Sequence, residues 1–396
     1  MNRYILLLFF TTGTLPVFAQ RVSIDEALQL AQNGNLEFKV NDAEIKKSRA
    51  AVGTAAAVPN TGVFAENEDL QAGNSKGILK IGVSQSVAWP GVYKARRIYL
   101  KEQAKYYELN RAAIDAQLKK EVRMAYYQLW YLQNRSGLYQ QMDSIYKSLL
   151  QAATLRYNKG EAAGIEKIAA DVRFKELQAQ QQEIINERIL QQQQLMLLLN
   201  TQQSVLPLNS PLQKITLEAG DTVTAHPLLA LQQQQLNIAA SGIMVQKNEN
   251  RPELSGRFFS QALYGIREPY SGFSVSVGIP LFNAGANRQK INVAKADLEL
   301  QQKKGELQEQ RISSQKKQAQ TAIAQADAMV QYYESNGLKQ AGEIIKAAVL
   351  GYKGGELSFM ELTQYLNQAT DMQKSYLDAL NKYNQAVIQY LYFINL

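Results

Sequence analysis

The chain has 396 residues and a formal net charge of +8, with 46% hydrophobic and 20% charged residues, no cysteine and a single histidine. This composition excludes a disulfide framework, a thiolate zinc or iron–sulfur site, a cysteine nucleophile and a multi-histidine metal site, so neither a cofactor nor an enzyme activity is expected. Basic and acidic residues are interspersed along the chain instead of gathered into a patch, which argues against a nucleic-acid partner.

Asn2 and Arg3 precede an apolar stretch from Tyr4 to Phe10, and Val17, Phe18 and Ala19 fit a small-residue cleavage pattern before Gln20. Residues 1–19 therefore read as a secretory signal peptide, whose removal takes Arg3 and lowers the charge by one. No later apolar run reaches the roughly 18 residues of a spanning helix. An exported chain of this kind is periplasmic, secreted, or inserted in the outer membrane as strands.

Val22-Ser23-Ile24-Asp25-Glu26 has the pattern of a capped helix start, and a helix is expected over residues 24–56. Strands follow at 60–67 and 77–88, then a long helix at 92–157 and a returning helix at 164–200. No proline occurs in residues 91–206 or 281–396, two spans of 116 residues each. Proline costs about 3 kcal/mol inside a helix, so such spans, rich in Ala, Gln, Leu, Lys and Glu, read as long helices. The helix at 92–157 alone would be about 100 Å long, and the two shorter helices laid end to end match it. Apolar residues along it alternate by three and four, as at Leu118, Val122, Ala125, Leu129 and Leu132, and at Tyr139, Met142, Tyr146, Leu149 and Ala153. That is coiled-coil spacing. Tyr126, Tyr127, Trp130 and Tyr131 are expected to pack between helices, while the polar run from Gln301 to Gln320 must turn a broad face to water.

The chain also matches itself. At an offset of 194, Leu79, Ile81, Val83, Gln85 and Val87 fall on Phe273, Val275, Val277, Ile279 and Leu281, both segments alternating in the period-two manner of a strand. At an offset of 195, Tyr157, Gly160, Glu161 and Glu166 fall on Tyr352, Gly355, Glu356 and Glu361. The two registers differ by a single residue over about 70 positions, so two structural repeats are expected, 20–200 and 225–396, joined by a linker or equatorial segment at 201–224. His226 then marks the helix start of the second repeat, where a surface histidine is expected. Two hairpins give four strands, whose outward residues Phe273, Val275, Val277 and Ile279 suit a lipid-facing wall. Four strands cannot close a barrel, and open edges do not persist in lipid. Several chains must share one barrel: two would give 8 strands and three 12, of which only the wider leaves an aqueous channel. The expected fold is mainly α, with long antiparallel coiled-coil helices and a membrane β-barrel part.

These motifs resemble the TolC-type outer-membrane efflux proteins. The resemblance is carried by the leader, by VSIDEALQLAQNGN at 22–35, GVSQSVAWPG at 82–91, VSVGIPLFNAG at 275–285, and the paired turns LRYNKGEAAGIEKI and LGYKGGELSFMELT. The WPG strand end looks most like the heavy-metal efflux branch typified by CusC and CzcC. The resemblance implies a homotrimer with a 12-stranded barrel in outer-membrane lipid and a long periplasmic helical tunnel. It also implies a periplasmic adaptor (membrane fusion protein) and an inner-membrane pump, of RND type, as partners.

Carried over residue by residue, the turns at Tyr157, Gly160 and Glu161 and at Tyr352, Gly355 and Glu356 would form the tip that meets the adaptor. Glu361 matches the first acidic residue of the family's aperture ring, and Gln364 stands where a second acid is usual. The rival reading is an exported periplasmic coiled-coil scaffold or binding protein without a pore, which accounts for the helices but not for alternating strands at corresponding positions of both repeats.

Overall fold

The computed structural model describes residues 20–68, 77–208, 210–217, 226–263, 268–280 and 284–394. The expected leader lies outside them. Ser23 caps as its context requires: its Oγ accepts from the Glu26 N–H at 3.2 Å, and the Glu26 carboxylate accepts from the Ser23 N–H at 2.7 Å. The single helix expected over 24–56 is in fact two, α1 (Ile24–Gly34) and α2 (Leu36–Thr54). Asn35 stays in extended backbone between them, and its side chain accepts from the Glu37 N–H at 2.7 Å, a cap that competes with helix continuation.

Strands β2 (Gly62–Glu68) and β3 (Ile78–Ala88) lead into α3 (Pro90–Asn158), whose 69 residues extend about 100 Å. Pro90 opens it, where a missing N–H costs nothing. The returning helix is α4 (Gly164–Leu198). The second repeat follows the same order: α5 (Pro227–Glu249), β5 (Glu253–Leu263), β6 (Tyr270–Gly278), α6 (Ala284–Tyr332), a π turn (Tyr333–Gly337), α7 (Leu338–Lys353) and α8 (Phe359–Ile394). The expected linker contains a short strand that the sequence reading missed, β4 (Val205–Pro207), paired in parallel with β1 (Gln20–Val22).

Short helices abut end to end against the long ones. Where α4 ends against α1, the Asn200 side chain donates to the Gly34 carbonyl at 2.9 Å, and Asn200 itself takes the left-handed conformation that closes a helix. The linker then crosses the middle of the bundle. The fully buried Asn384 on α8 accepts from the Ile215 N–H and donates to the Gln213 carbonyl, both at 2.8 Å, while Trp130 Nε1 donates to the Ser210 carbonyl at 2.8 Å. One core gathers here around Tyr126, Leu129, Leu132, Val330 and Val387. A second, nearer the turns, is built from Tyr146, Leu149, Ile184, Leu362 and Leu366. Each of these large side chains contributes on the order of 1.5–3 kcal/mol by burial. Tyr126 packs between elements as expected, its hydroxyl donating to the Val22 carbonyl at 3.0 Å, and burial pushes that phenol up to about 12.

At the opposite end the four strands form one antiparallel sheet in the order β2-β3-β5-β6, with β3 and β5 joining the repeats from Ile78↔Leu263 to Ala88↔Glu253. Alternation separates its faces. Leu79, Ile81, Val83, Phe258, Phe273, Val275 and Val277 are exposed on one, Phe273 by 80%. Lys80, Ser84, Arg257 and Ser274 occupy the other, where the Arg257 guanidinium lies 3.9 Å from the Phe64 ring centroid and pairs with Glu66. No helix among the described residues is long and apolar enough to cross a membrane.

His226 departs from expectation. It is buried, 3% exposed, because the start of α5 is sealed by the end of α8: its ring lies 4.6 Å from Tyr392 and 6.1 Å from Phe393, and its Nδ1 accepts from the Leu228 N–H at 3.2 Å. Burial, reinforced by Lys120, pushes its pKa down. The unfolded chain then binds the extra proton first, so stability falls as pH drops below the unfolded value of about 6.5. His226→Asn, which keeps a capping side chain, should therefore reduce the loss of Tm between pH 7 and pH 5. An unchanged slope would place that pH dependence elsewhere.

Candidate functional site at the hairpin tips

Both hairpins reverse in the same way. Gly160 has φ +76° and Gly355 φ +78°, values that an L side chain adopts only with strain. In the first turn the Gly160 N–H donates to the Tyr157 carbonyl at 3.0 Å and the Glu161 N–H to the Arg156 carbonyl at 2.9 Å. In the second, the Gly355 N–H donates to the Tyr352 carbonyl at 3.2 Å and the Glu356 N–H to the Gly351 carbonyl at 2.9 Å. These crossed bonds satisfy the last carbonyls of each helix. Gly160, Glu161, Gly355 and Glu356 are all exposed at the tips.

The two equivalent tyrosines differ in environment. Tyr157 is 45% exposed, with the Lys167 ammonium 5.2 Å from its ring. Tyr352 is buried, 4% exposed, against Phe359 at a ring separation of 6.0 Å. Its hydroxyl donates to Glu166 Oε1 at 2.6 Å, and the same oxygen accepts from Arg156 Nη1 at 3.3 Å, with the Arg156 guanidinium 5.4 Å from the Tyr352 ring. Burial and the adjacent carboxylate push the Tyr352 phenol up, so it remains a donor at neutral pH. Arg156 and Glu166 belong to the first hairpin and Tyr352 to the second, so this cluster ties the hairpins together near their ends. Further along, Asn367 Oδ1 accepts from the Tyr146 hydroxyl at 3.1 Å and from Arg173.

The sequence reading singled out Glu361 but not its counterpart Glu166. They do different work. Glu361 caps its own helix: the Ser358 N–H and hydroxyl both donate to its Oε2 at 2.8 Å, and its N–H donates back to Ser358 Oγ. Those bonds pull its pKa below the usual carboxylate value. In the first repeat Ala163 stands where Ser358 stands in the second, so Glu166 has no local hydroxyl to bind and reaches across to Tyr352. The Arg156 position is likewise filled by Gly351, against which Leu357 packs. The equal spacing of Glu166 and Glu361 from their turns was the available signal, and the side chain at each helix cap decides the outcome. Gln364 is exposed one turn beyond Glu361, in a groove of about 530 Å³ lined also by Tyr333, Asn367, Gln368 and Asp371. No group of three or more His, Asp or Glu side chains among the described residues could hold a metal ion.

Residues 222–392 match the model of the outer membrane efflux protein family. No curated protein matches the chain in sequence. Among solved structures, the chain is similar to a membrane protein from Pseudomonas aeruginosa, with 17% identity and a TM-score of 0.79 over 96% of this chain and 91% of that one. It is similar also to the Campylobacter jejuni CmeC outer membrane channel, with 12% identity and a TM-score of 0.79 over 100% and 94%. CusC matches with 15% identity and a TM-score of 0.78 over 96% and 93%, no more strongly than the others, so the heavy-metal branch is not singled out. The family match over the second repeat and the channel fold over nearly the whole chain bear out the resemblance to TolC-type outer-membrane efflux proteins. Residues 222–392 thus carry the sequence pattern of outer membrane efflux proteins, and the chain as a whole has the fold of outer-membrane channels.

Gly160→Val and Gly355→Val should each cost about 1–2 kcal/mol locally, because the left-handed backbone cannot be kept without strain. Faster hydrogen exchange confined to the substituted tip, with the sheet end unaffected, is the expected reading. Exchange unchanged at both tips would show that the turns tolerate a side chain.

Proposed function

We propose that three copies of this chain close one 12-stranded barrel continuous with a helical tunnel, and that the tips dock a periplasmic adaptor which links the duct to an inner-membrane pump of RND type. The observation that carries this is the four-stranded sheet with one apolar face, whose outer strands β2 and β6 have only one strand neighbour each among the described residues. Each unpaired backbone group costs several kcal/mol in lipid, and a neighbouring copy can supply the missing strand. Within the chain, repeat one meets repeat two through β3 and β5; between copies, β6 would meet β2. Such head-to-tail contacts make a ring when the rotation closes. A coiled-coil scaffold without a pore gives no use to this sheet. Removal of residues 254–281 should abolish outer-membrane insertion of the whole assembly. A stable, membrane-inserted deletion protein would overturn the shared barrel.

The exposed tip residues Tyr157, Gly160, Glu161, Gly355 and Glu356, with the apolar Leu155, Ile165, Leu350 and Met360 beside them, offer the adaptor a mixed surface. The buried Tyr352 belongs instead to the tie with Glu166 and Arg156, which holds the hairpins in the arrangement described here. Adaptor contacts that favour an open arrangement would have to exceed the strength of that tie.

Glu361 and Gln364, repeated around a threefold axis, would line the aperture, where three carboxylates favour cations. Glutamine at 361 can still complete the cap with Ser358, so Glu361→Gln removes charge while keeping the helix start. Cation preference in single-channel recordings should fall modestly, since only one acidic ring is present, and the change should shrink with salt as screening reaches about 10 Å at 0.1 M. An unchanged reversal potential at low salt would place Glu361 away from the pore.

A further inference from the structure

The single-residue difference between the two repeat registers has a location. Along α3 the buried residues Ala125, Leu132, Tyr139, Tyr146 and Ala153 recur at every seventh position. Their counterparts in the second repeat are the buried Ala319, Ala326, Ala341 and Ala348, with the partly buried Tyr333 between. Every step there is also seven except one: from Tyr333 to Ala341 it is eight. An extra residue in an uninterrupted α-helix would turn everything beyond it by about 100° and carry Ala341, Ala348 and Tyr352 off the seam. The π turn absorbs it. The Leu338 N–H donates to the Tyr333 carbonyl, five residues back, and the packing register resumes on the far side.

Its local chemistry is built for this. The Ser335 hydroxyl donates to the Gln331 carbonyl at 2.8 Å, supporting an acceptor at the edge of the altered ladder. Gly337 is buried beneath the Tyr333 ring, which would lie 2.7 Å from a Cβ at that position. From α8, the Tyr376 hydroxyl donates to Glu334 at 3.3 Å. The turn also falls at a boundary: Val330 belongs to the core at the middle of the bundle, whereas Ala348 and Tyr352 belong to the core near the tips. In the first hairpin that boundary is crossed by the continuous helix α3.

We propose that the π turn at Tyr333–Gly337 is the hinge about which the tip half of the second hairpin moves when the tie at Glu166 is released. One inserted residue thus makes one hairpin bendable while the other, of otherwise equal design, stays rigid. The proposal deepens the gated-duct reading and rests on it, but the hinge has a readout that needs neither pump nor adaptor.

The test uses the purified full-length protein in detergent. In hydrogen exchange, residues 333–341 should exchange about tenfold faster than residues 139–146, and deletion of Asn336, which restores the seven-residue step, should remove the difference. Equal exchange in the two segments of the parent protein would overturn the hinge. The chain has no cysteine, so Lys159→Cys and Lys353→Cys can carry spin labels near the two tips. Tyr352→Phe should broaden the label distances, and adding the Asn336 deletion should narrow them again while the sheet-end exchange pattern stays intact. Broadening that persists in the deletion protein would overturn the proposal. Should Tyr352→Phe broaden nothing, the tie reading fails, and the exchange comparison alone decides the hinge.

Discussion

Five of the other described helices are arranged along the unbroken seam of α3. Its buried residues return at every seventh position from Ala125 to Ala153, a recurrence that keeps one stripe facing its neighbours over many turns. Helices α1, α2 and α4 pack along it within the first repeat, and α5 and α8 join it from the second. The same helix fixes both ends of the molecule, since β3 leads directly into Pro90 and the Gly160 turn follows Asn158. A proline or a one-residue slip within it would disturb the sheet end and the tip together.

Much of this was legible from local chemistry. The absence of proline over 91–206 and the three-four spacing gave the long helix and its returning partner to within two residues, and alternation gave both faces of β3 and β6. What escaped depends on contacts distant in sequence. Asn35 has a helical sequence context on both sides, yet its side chain caps α2, so one expected helix became two. The β1–β4 pair involves three residues on each side, too few for any period to show. His226 is a polar residue beside a proline, and nothing local announces that Tyr392 and Phe393 close over it.

The two tips show how turns of the same geometry come to differ through small changes nearby. Both turns keep the same left-handed glycine and the same crossed hydrogen bonds. Ser358 gives Glu361 a local partner, whereas Ala163 leaves Glu166 to seek Tyr352 across the hairpins. The serine and the glutamate were both visible in the sequence. That a carboxylate is redirected when the serine is missing required the neighbouring hairpin to be in place.

The abutting helix ends have a mechanical consequence. A long helix such as α3 carries a pull or a push equally, because its axis is an unbroken ladder. The line formed by α1 and α4 does not, since across the joint at Gly34 and Asn200 a side-chain hydrogen bond takes the place of a helical ladder. Compression closes such a joint and tension opens it. Along the first hairpin a push is therefore shared by both lines, whereas a pull is borne by the continuous α3, which makes the hairpin a strut that resists the two directions of load unequally.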